Sequence, residues 1–350
     1  MSRLALTFSL IWLLSGCSAD EDAASDSADV GVSTSDIGTG SDSDATTAPD
    51  DTVSVPDTTP EPDVDTPPTG PAGPCALNAR IGGITVEAGE QFSFVTAEIA
   101  NGVNPATVLE EVVVEGDCKL LKRNNLFCNP PCAPGQTCGL DETCIEFPVP
   151  QDVGTVTVSG LSTTVVMESV AGTGTYFATD VAHPIVTGGE AITATTSAGG
   201  YVGQITLQGA GGHALDLITS QWSVVPGAPL TIQWAAPPAD GRTMIGLRLN
   251  IDQHGNSPVV VACTFEDDGE ASIPATLIDQ LINSGVSGFP NGLLRRQTVD
   301  SVSTDQGCVD LLVSVPREPE DVSIAGHTPC KTPADCPDGT TCNLAIETCQ

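Results

Sequence analysis

Positive charge is scarce in this 350-residue chain: 11 Lys and Arg stand against 45 Asp and Glu, a formal net charge of −34. A polyanion of that size repels nucleic acid and anionic lipid surfaces, so neither is expected as a partner. Aromatic residues make up only 4%, fewer than a carbohydrate-binding platform usually displays. Trp222 and Trp234 are the pair from which a small one would be built, although Trp234 falls in an alternating strand where tryptophan packs into a core. Long apolar runs are also missing. The longest, Leu4 to Leu14, falls far short of the ~20 residues that carry a helix across a bilayer.

Catalytic signatures are absent as well. The chain has no G-x-S-x-G elbow, H-E-x-x-H, P-loop or dinucleotide fingerprint. Its four histidines, His183, His213, His254 and His327, sit in loop-like contexts with no H-x-H or H-x-x-x-H partner. Gly209-Ala-Gly-Gly212 follows a strand but lacks the lysine and helix of a phosphate cradle, so it reads as a turn. Asp267-Asp-Gly-Glu270 offers paired carboxylates, yet adjacent acids at a hairpin are usually solvated. No metal or other cofactor is expected, and the chain does not read as an enzyme.

What is present begins at the first residue. Arg3 supplies a positive start, the apolar run follows, and Ser15 and Gly16 are the small residues before Cys17. Leu14-Ser15-Gly16-Cys17 resembles the lipobox of bacterial lipoproteins. That resemblance implies that residues 1–16 are removed as a signal, that the Cys17 sulfur receives a diacylglyceryl group and that the new amino end is acylated. Together the chains anchor stably, at roughly 0.8 kcal/mol per buried methylene. Ser18 follows; in the family's sorting rule an Asp there would retain the protein on the inner membrane, so the outer membrane or cell surface is expected instead.

Ser18 to Pro74 carries 14 acidic residues, no Lys or Arg and no aromatic residue, the remainder being mostly Ser, Thr, Pro, Gly and Ala. It cannot bury enough apolar surface to offset its ordering entropy, so residues 17–74 read as a disordered spacer. Its ends would lie roughly 40 Å apart as a flexible coil. No D-x-D-x-D-G loop marks a calcium site. Beyond the spacer, 31 acids and 10 bases remain, so the rest of the chain is still strongly acidic.

Of 13 cysteines, setting Cys17 aside leaves twelve, an even number in an exported chain, which predicts disulfides. Cys128, Cys132, Cys138 and Cys144 form one cluster; Cys330, Cys336, Cys342 and Cys349 form another within residues 330–350. They are internal repeats, since Cys132-Ala-Pro-Gly-Gln-Thr-Cys138 matches Cys336-Pro-Asp-Gly-Thr-Thr-Cys342 and both end Glu-Thr-Cys. Zinc sites favour closer pairs than these x5 and x6 spacings. Each module is too small for a core of its own, so crosslinks must define it. The modules resemble short C-x5-C-P-x-G-x-x-C repeats in surface proteins of myxobacteria and their relatives, a likeness that implies no defined activity. Cys75, Cys118, Cys263 and Cys308 remain. Sequence order suggests Cys75–Cys118 and Cys263–Cys308, one of three possible connectivities.

Between the modules, short runs rich in β-branched residues or alternating in polarity recur, as in Thr155–Val158, Thr164–Glu168, Ile192–Thr195, Leu230–Trp234 and Leu247–Ile251, with Gly, Pro, Asp and Asn between them. Gln91–Val95 and Val112–Val114 precede the first module. Pro258–Cys263 reads as a central strand and Cys308–Val315 as a late partner. One helix is expected from Pro274 to Asn283, with Ser272 as its cap, Leu277, Ile278 and Leu281 as its stripe and Gly285 at its end. The fold class expected is all-β: an antiparallel β-sandwich head over residues 75–329, with module 128–144 inserted, and no parallel pairing. Two separate domains are the alternative. Leu230 to Leu281, with Trp234, Val261-Ala-Cys-Thr-Phe265 and Ser272-Ile-Pro-Ala-Thr-Leu277, resembles head domains of myxobacterial lipoproteins, which implies a sandwich.

The functional expectation is a lipid-anchored envelope or cell-surface protein, non-enzymatic, whose head binds a protein or carbohydrate, because a long spacer serves a head that must reach something. An envelope lipoprotein with a structural role and a hydrolase with an unrecognised site are the alternatives.

Overall fold

The computed structural model describes residues 71–238, 242–251 and 259–350. The signal segment, Cys17, most of the spacer and His254 lie outside the described residues. The described residues belong to one compact unit, and no helix among them is long and apolar enough to cross a membrane.

The expected all-β class is what the chain adopts. β1 (Arg80–Ala88) and β2 (Ser93–Ile99) form a hairpin, as do β3 (Leu109–Glu115) and β4 (Cys118–Arg123). The first cysteine module holds β5 (Gln136–Cys138) and β6 (Cys144–Glu146). Then come β7 (Val156–Ser159), β8 (Val165–Met167), β9 (Thr175–Ala178), β10 (Ala191–Thr196), β11 (Thr206–Ala210), β12 (Gln221–Val224) and β13 (Leu230–Gln233). β14 (Met244–Asn250), β15 (Val259–Glu266) and β16 (Glu270–Ile273) lead into the helix α1 (Ala275–Asn283). The long hairpin β17 (Asn291–Thr304) and β18 (Gly307–Arg317) follows, then β19 (Asp321–Ile324), with β20 (Cys342–Asn343) and β21 (Thr348–Cys349) in the second module.

Among the described residues the largest sheet has nine strands in the order β3-β4-β15-β14-β17-β18-β1-β2-β9. Its inner face covers two cores. Under the β4–β14 side lie Ile245, Leu247, Leu249, Val261, Trp222 and Trp234, closed from below by the β12–β19 and β13–β16 pairs and by α1. Under the β18–β9 side, Ile84, Val86, Val95, Leu311, Val313 and Tyr176 pack against Val156, Val158, Ile192 and Leu207 of a second sheet, ordered β11-β10-β7-β8. The alternation along each strand puts these apolar residues inward because successive side chains point to opposite faces.

The pairing is mixed rather than purely antiparallel, which corrects one expectation. β1 runs parallel to β18, and β12 parallel to β19. Parallel neighbours need a long crossover, and here the whole intervening chain is that crossover, so no local strand–helix pattern announces it.

The four inter-element cysteines also pair differently from sequence order. The bonds are Cys75–Cys308 and Cys118–Cys263. β4 lies antiparallel to β15 with Cys118 opposite Cys263, and Cys308, near the start of β18, pairs with Arg80, shortly after Cys75. The sheet thus brings together cysteines 233 and 145 residues apart. Each such closure is worth about 5 kcal/mol in the loop-entropy model. Within the modules the pattern repeats, first to third and second to fourth: Cys128–Cys138 with Cys132–Cys144, and Cys330–Cys342 with Cys336–Cys349.

The helix carries its expected stripe of Leu277, Ile278 and Leu281 into the first core. Its cap differs. Pro274 occupies the N-cap position without a side-chain bond, while its carbonyl accepts from Leu277 and Ile278 N–H; Ser272 remains in β16. At the far end Gly285 takes φ +103°, a conformation that favours glycine.

Candidate ligand-binding cleft

Four segments distant in sequence converge at one end of the inner face. The β1–β2 turn brings Gly89 and Glu90, the β9–β10 loop brings His183 to Thr187, the run after β11 brings Gly212 to Asp216, and the end of β18 brings Pro316 and Arg317. They enclose a cleft of about 460 Å³. Its walls are largely apolar, with Ala88, Pro184, Val186, Leu215 and Val315, while an ion pair between Arg317 and Glu90 stands at its mouth, both partners substantially exposed.

His183 is the histidine that the fold places at this cleft. Its Nε2 faces the Glu90 carbonyl at 3.2 Å, which can only accept, so Nε2 carries the proton. Nδ1 hydrogen-bonds the Ser93 hydroxyl at 3.0 Å. Ser93 Oγ in turn accepts the Ile185 N–H at 3.2 Å. A serine hydrogen-bonded to a histidine is the start of a nucleophile–base pair, but Ser93 is 3% exposed and does not line the cleft. A backbone carbonyl, rather than a carboxylate, orients the ring. The network rivets the β9–β10 loop to the β1–β2 hairpin.

The rest of that loop is held by Glu190. Its carboxylate accepts the Gly188 N–H at 2.7 Å and both the N–H and hydroxyl of Thr187. Burial pushes this carboxyl upward, but the Thr187 and Gly188 donors more than offset it and hold it below the usual glutamate range.

The floor is fixed from beneath by a buried ion pair. Arg296 and Asp267 have side chains 1% and 4% exposed, and meet through Nε–Oδ2 at 2.6 Å and Nη2–Oδ1 at 3.0 Å. The guanidinium also donates to the carbonyls of Ala214 at 2.6 Å, His213 at 3.3 Å and Ala235 at 2.8 Å. Trp234 Nε1 and Thr243 Oγ1 each reach Asp267 at 2.8 Å. Both charges are therefore fully hydrogen-bonded, the condition for burying an ion pair without a heavy cost. Since Ala214 lines the cleft, this hub sets where the floor lies.

Several sequence expectations are corrected here. Asp267 is not solvated; only Asp268 and Glu270 of that run face outward. Gly209 to Gly212 is not a turn. Gly209 and Ala210 end β11, and a Cβ on Gly209 would meet Val313 and Thr298 at 2.9 and 3.1 Å, so the small residue permits close layer packing. Trp222 and Trp234 form no platform: they are 0% and 1% exposed and belong to the core. His213 lies beside the cleft floor, and His327 Nε2 bonds the Gly288 carbonyl at 2.7 Å. The cysteine sulfurs of the two modules cluster closely because they are spent on disulfides. Arg317, Glu90 and Arg296 were missed altogether in sequence. The signal that could have found Arg296 is its place in a strand at an inward position, between Leu294 and Thr298.

A second, larger hollow of about 870 Å³ lies between residues 74–78 and the β3–β4 hairpin. Its ionisable lining is Glu111, Asp117 and Lys119, and Lys119 is paired with Glu111 at 2.6 Å. It holds no histidine or arginine. No family model matches the chain, and no curated protein matches its sequence.

Proposed function

We propose that this chain is a lipid-anchored binding protein of the bacterial envelope or cell surface, tethered through Cys17 and carried on its acidic spacer, with the cleft as its ligand seat. The carrying observation is the cleft itself: a largely apolar hollow whose charged lining is the Arg317–Glu90 pair and Asp216, the usual make-up of a small-ligand pocket. Its polar groups are arranged for recognition. Ser93, His183, Glu190, Asp267 and Arg296 all have their hydrogen-bonding capacity committed to holding walls and floor, which is what a preformed site requires. The ligand it fits is compact, largely apolar and terminated by a charged or zwitterionic group that can exchange with the Arg317–Glu90 pair.

A thermal-shift screen of the purified mature chain against short peptides and small amphiphilic acids and zwitterions tests the proposal. The expected result is a concentration-dependent rise in Tm that Arg317→Ala abolishes while leaving the unliganded Tm nearly unchanged. A rise of equal size in Arg317→Ala would place binding elsewhere, and hydrolysis of the added compounds would replace binding with catalysis.

A further inference from the structure

Besides His183, the charged side chains of the cleft are Arg317, Glu90 and Asp216, and their number and contacts restrict what can fill it. Arg317 and Glu90 form an ion pair at the mouth, both partners substantially exposed. Asp216, also exposed, lines the same cleft and has no ion-pair partner among the described residues. Arg317 is the one Lys or Arg among the described residues of the lining. His183 is already engaged, with Nε2 on the Glu90 carbonyl and Nδ1 on the Ser93 hydroxyl. The cleft therefore offers two carboxylates and one guanidinium, set among apolar walls from Ala88, Val186, Leu215 and Val315.

Taking the cleft as the ligand seat proposed above, we infer that its ligand is a free α-amino acid with an aliphatic or aromatic side chain. The carboxylate of such a ligand binds Arg317 and its ammonium binds Glu90, each through charge-assisted hydrogen bonds. A ligand with a carboxylate alone would take Arg317 and leave Glu90 unpaired in the same cleft as Asp216, where like charges repel. A ligand with an ammonium alone would either strip Glu90 from Arg317 or meet Asp216 by itself. A zwitterion completes both halves of the opened pair, and Asp216 gives its ammonium a second carboxylate. Arg317 and Glu90 touch each other, so the two charges of the ligand must also lie close together. Groups on one carbon meet that condition. The termini of an extended dipeptide do not, since each residue adds roughly 3.3–3.6 Å. The apolar walls then receive the side chain, so leucine should bind more tightly than glycine.

Isothermal titration of the purified mature chain with leucine and phenylalanine, and with glycine, N-acetylleucine, leucinamide and leucyl-leucine, tests the inference. Leucine or phenylalanine is expected to bind. N-acetylleucine, which lacks the ammonium, and leucinamide, which lacks the carboxylate, should each bind about tenfold more weakly than leucine. Asp216→Asn should weaken leucine about three- to fivefold and leave N-acetylleucine unchanged, because that compound has no ammonium for Asp216 to meet. Since Asp216 is exposed and unpaired among the described residues, the variant should keep the parent Tm. N-acetylleucine, leucinamide or leucyl-leucine binding as tightly as leucine would overturn the inference, as would undiminished leucine affinity in Asp216→Asn. Binding of neither leucine nor phenylalanine would also overturn it. The proposed function would then survive if the thermal-shift screen finds another ligand whose effect Arg317→Ala abolishes, and would fall with the inference if it finds none.

Discussion

Arg296 is the residue on which the cleft depends most and the one whose chemistry is least expected of a core. Replacing it by methionine would leave Asp267 charged and buried, with Trp234 and Thr243 as its remaining partners. Arg296→Met should therefore destabilise the protein by about 3–5 kcal/mol, read from the denaturant midpoint. Adding Asp267→Leu should recover much of that loss, because removing both partners deletes the unpaired charge; a double variant as unstable as the sum of the singles would refute the coupling. Glu190 acts differently. Its carboxyl is held below its ordinary value near 4.5, so it binds fewer protons folded than unfolded. Its contribution is complete above that ordinary value and is lost as pH falls through the lowered one. Hydrogen exchange should show the Thr187 and Gly188 amides losing protection only as the pH falls below that ordinary value. Glu190→Gln should lower their protection at neutral pH and remove the pH dependence.

At the scale of elements, the hairpin β17–β18 organises the molecule: it lies at the centre of the large sheet and its side chains serve both layers. Thr298 Oγ1 accepts the Ala210 N–H at 3.0 Å, and Asp300 accepts the Gln208 N–H at 2.7 Å, so the edge of β11 is satisfied by side chains from the other sheet. Asp300 also receives the Ala72 N–H at 2.8 Å, where the chain enters the head, and Cys75–Cys308 locks that entry. Cys75→Ser with Cys308→Ser should cost up to about 5 kcal/mol and shift the denaturant midpoint accordingly. Non-reducing peptide mapping should recover the 75–308 and 118–263 links; recovery of 75–118 and 263–308 would contradict the sheet order. Strands such as β7, β10, β13 and β14 were legible because they alternate around β-branched residues. β1 was hidden by Gly82 and Gly83, and β17 by its polar composition, since two of its inward positions are Arg296 and Thr298. Pairing was not legible, because register and disulfide partners follow from contacts across the whole chain. The cleft was less legible still: it is assembled from three connecting segments and a strand end, all distant in sequence, and connecting segments show no periodicity.

For the whole molecule, we propose a crosslinked β head joined to a membrane through an acidic tether. Twelve cysteines in six disulfides fit an exported chain, and the same setting is where a lipidated Cys17 belongs. Limited proteolysis of the native protein should release a resistant fragment beginning near Pro74 and reaching the C-terminus, because the acidic composition of residues 18–74, poor in apolar side chains, predicts a segment open to cleavage. Its circular dichroism should be dominated by strands, with a minor helical share from α1. Cys17→Ser should leave the protein out of the membrane fraction. The most direct measurement is the intact mass of the protein extracted from membranes without reductant. The predicted mass is that of a chain beginning at Cys17, bearing a diacylglyceryl group and an amide-linked acyl chain, with all twelve other cysteines oxidised. A chain that retains Met1, or that carries Cys17 without lipid, would contradict the account.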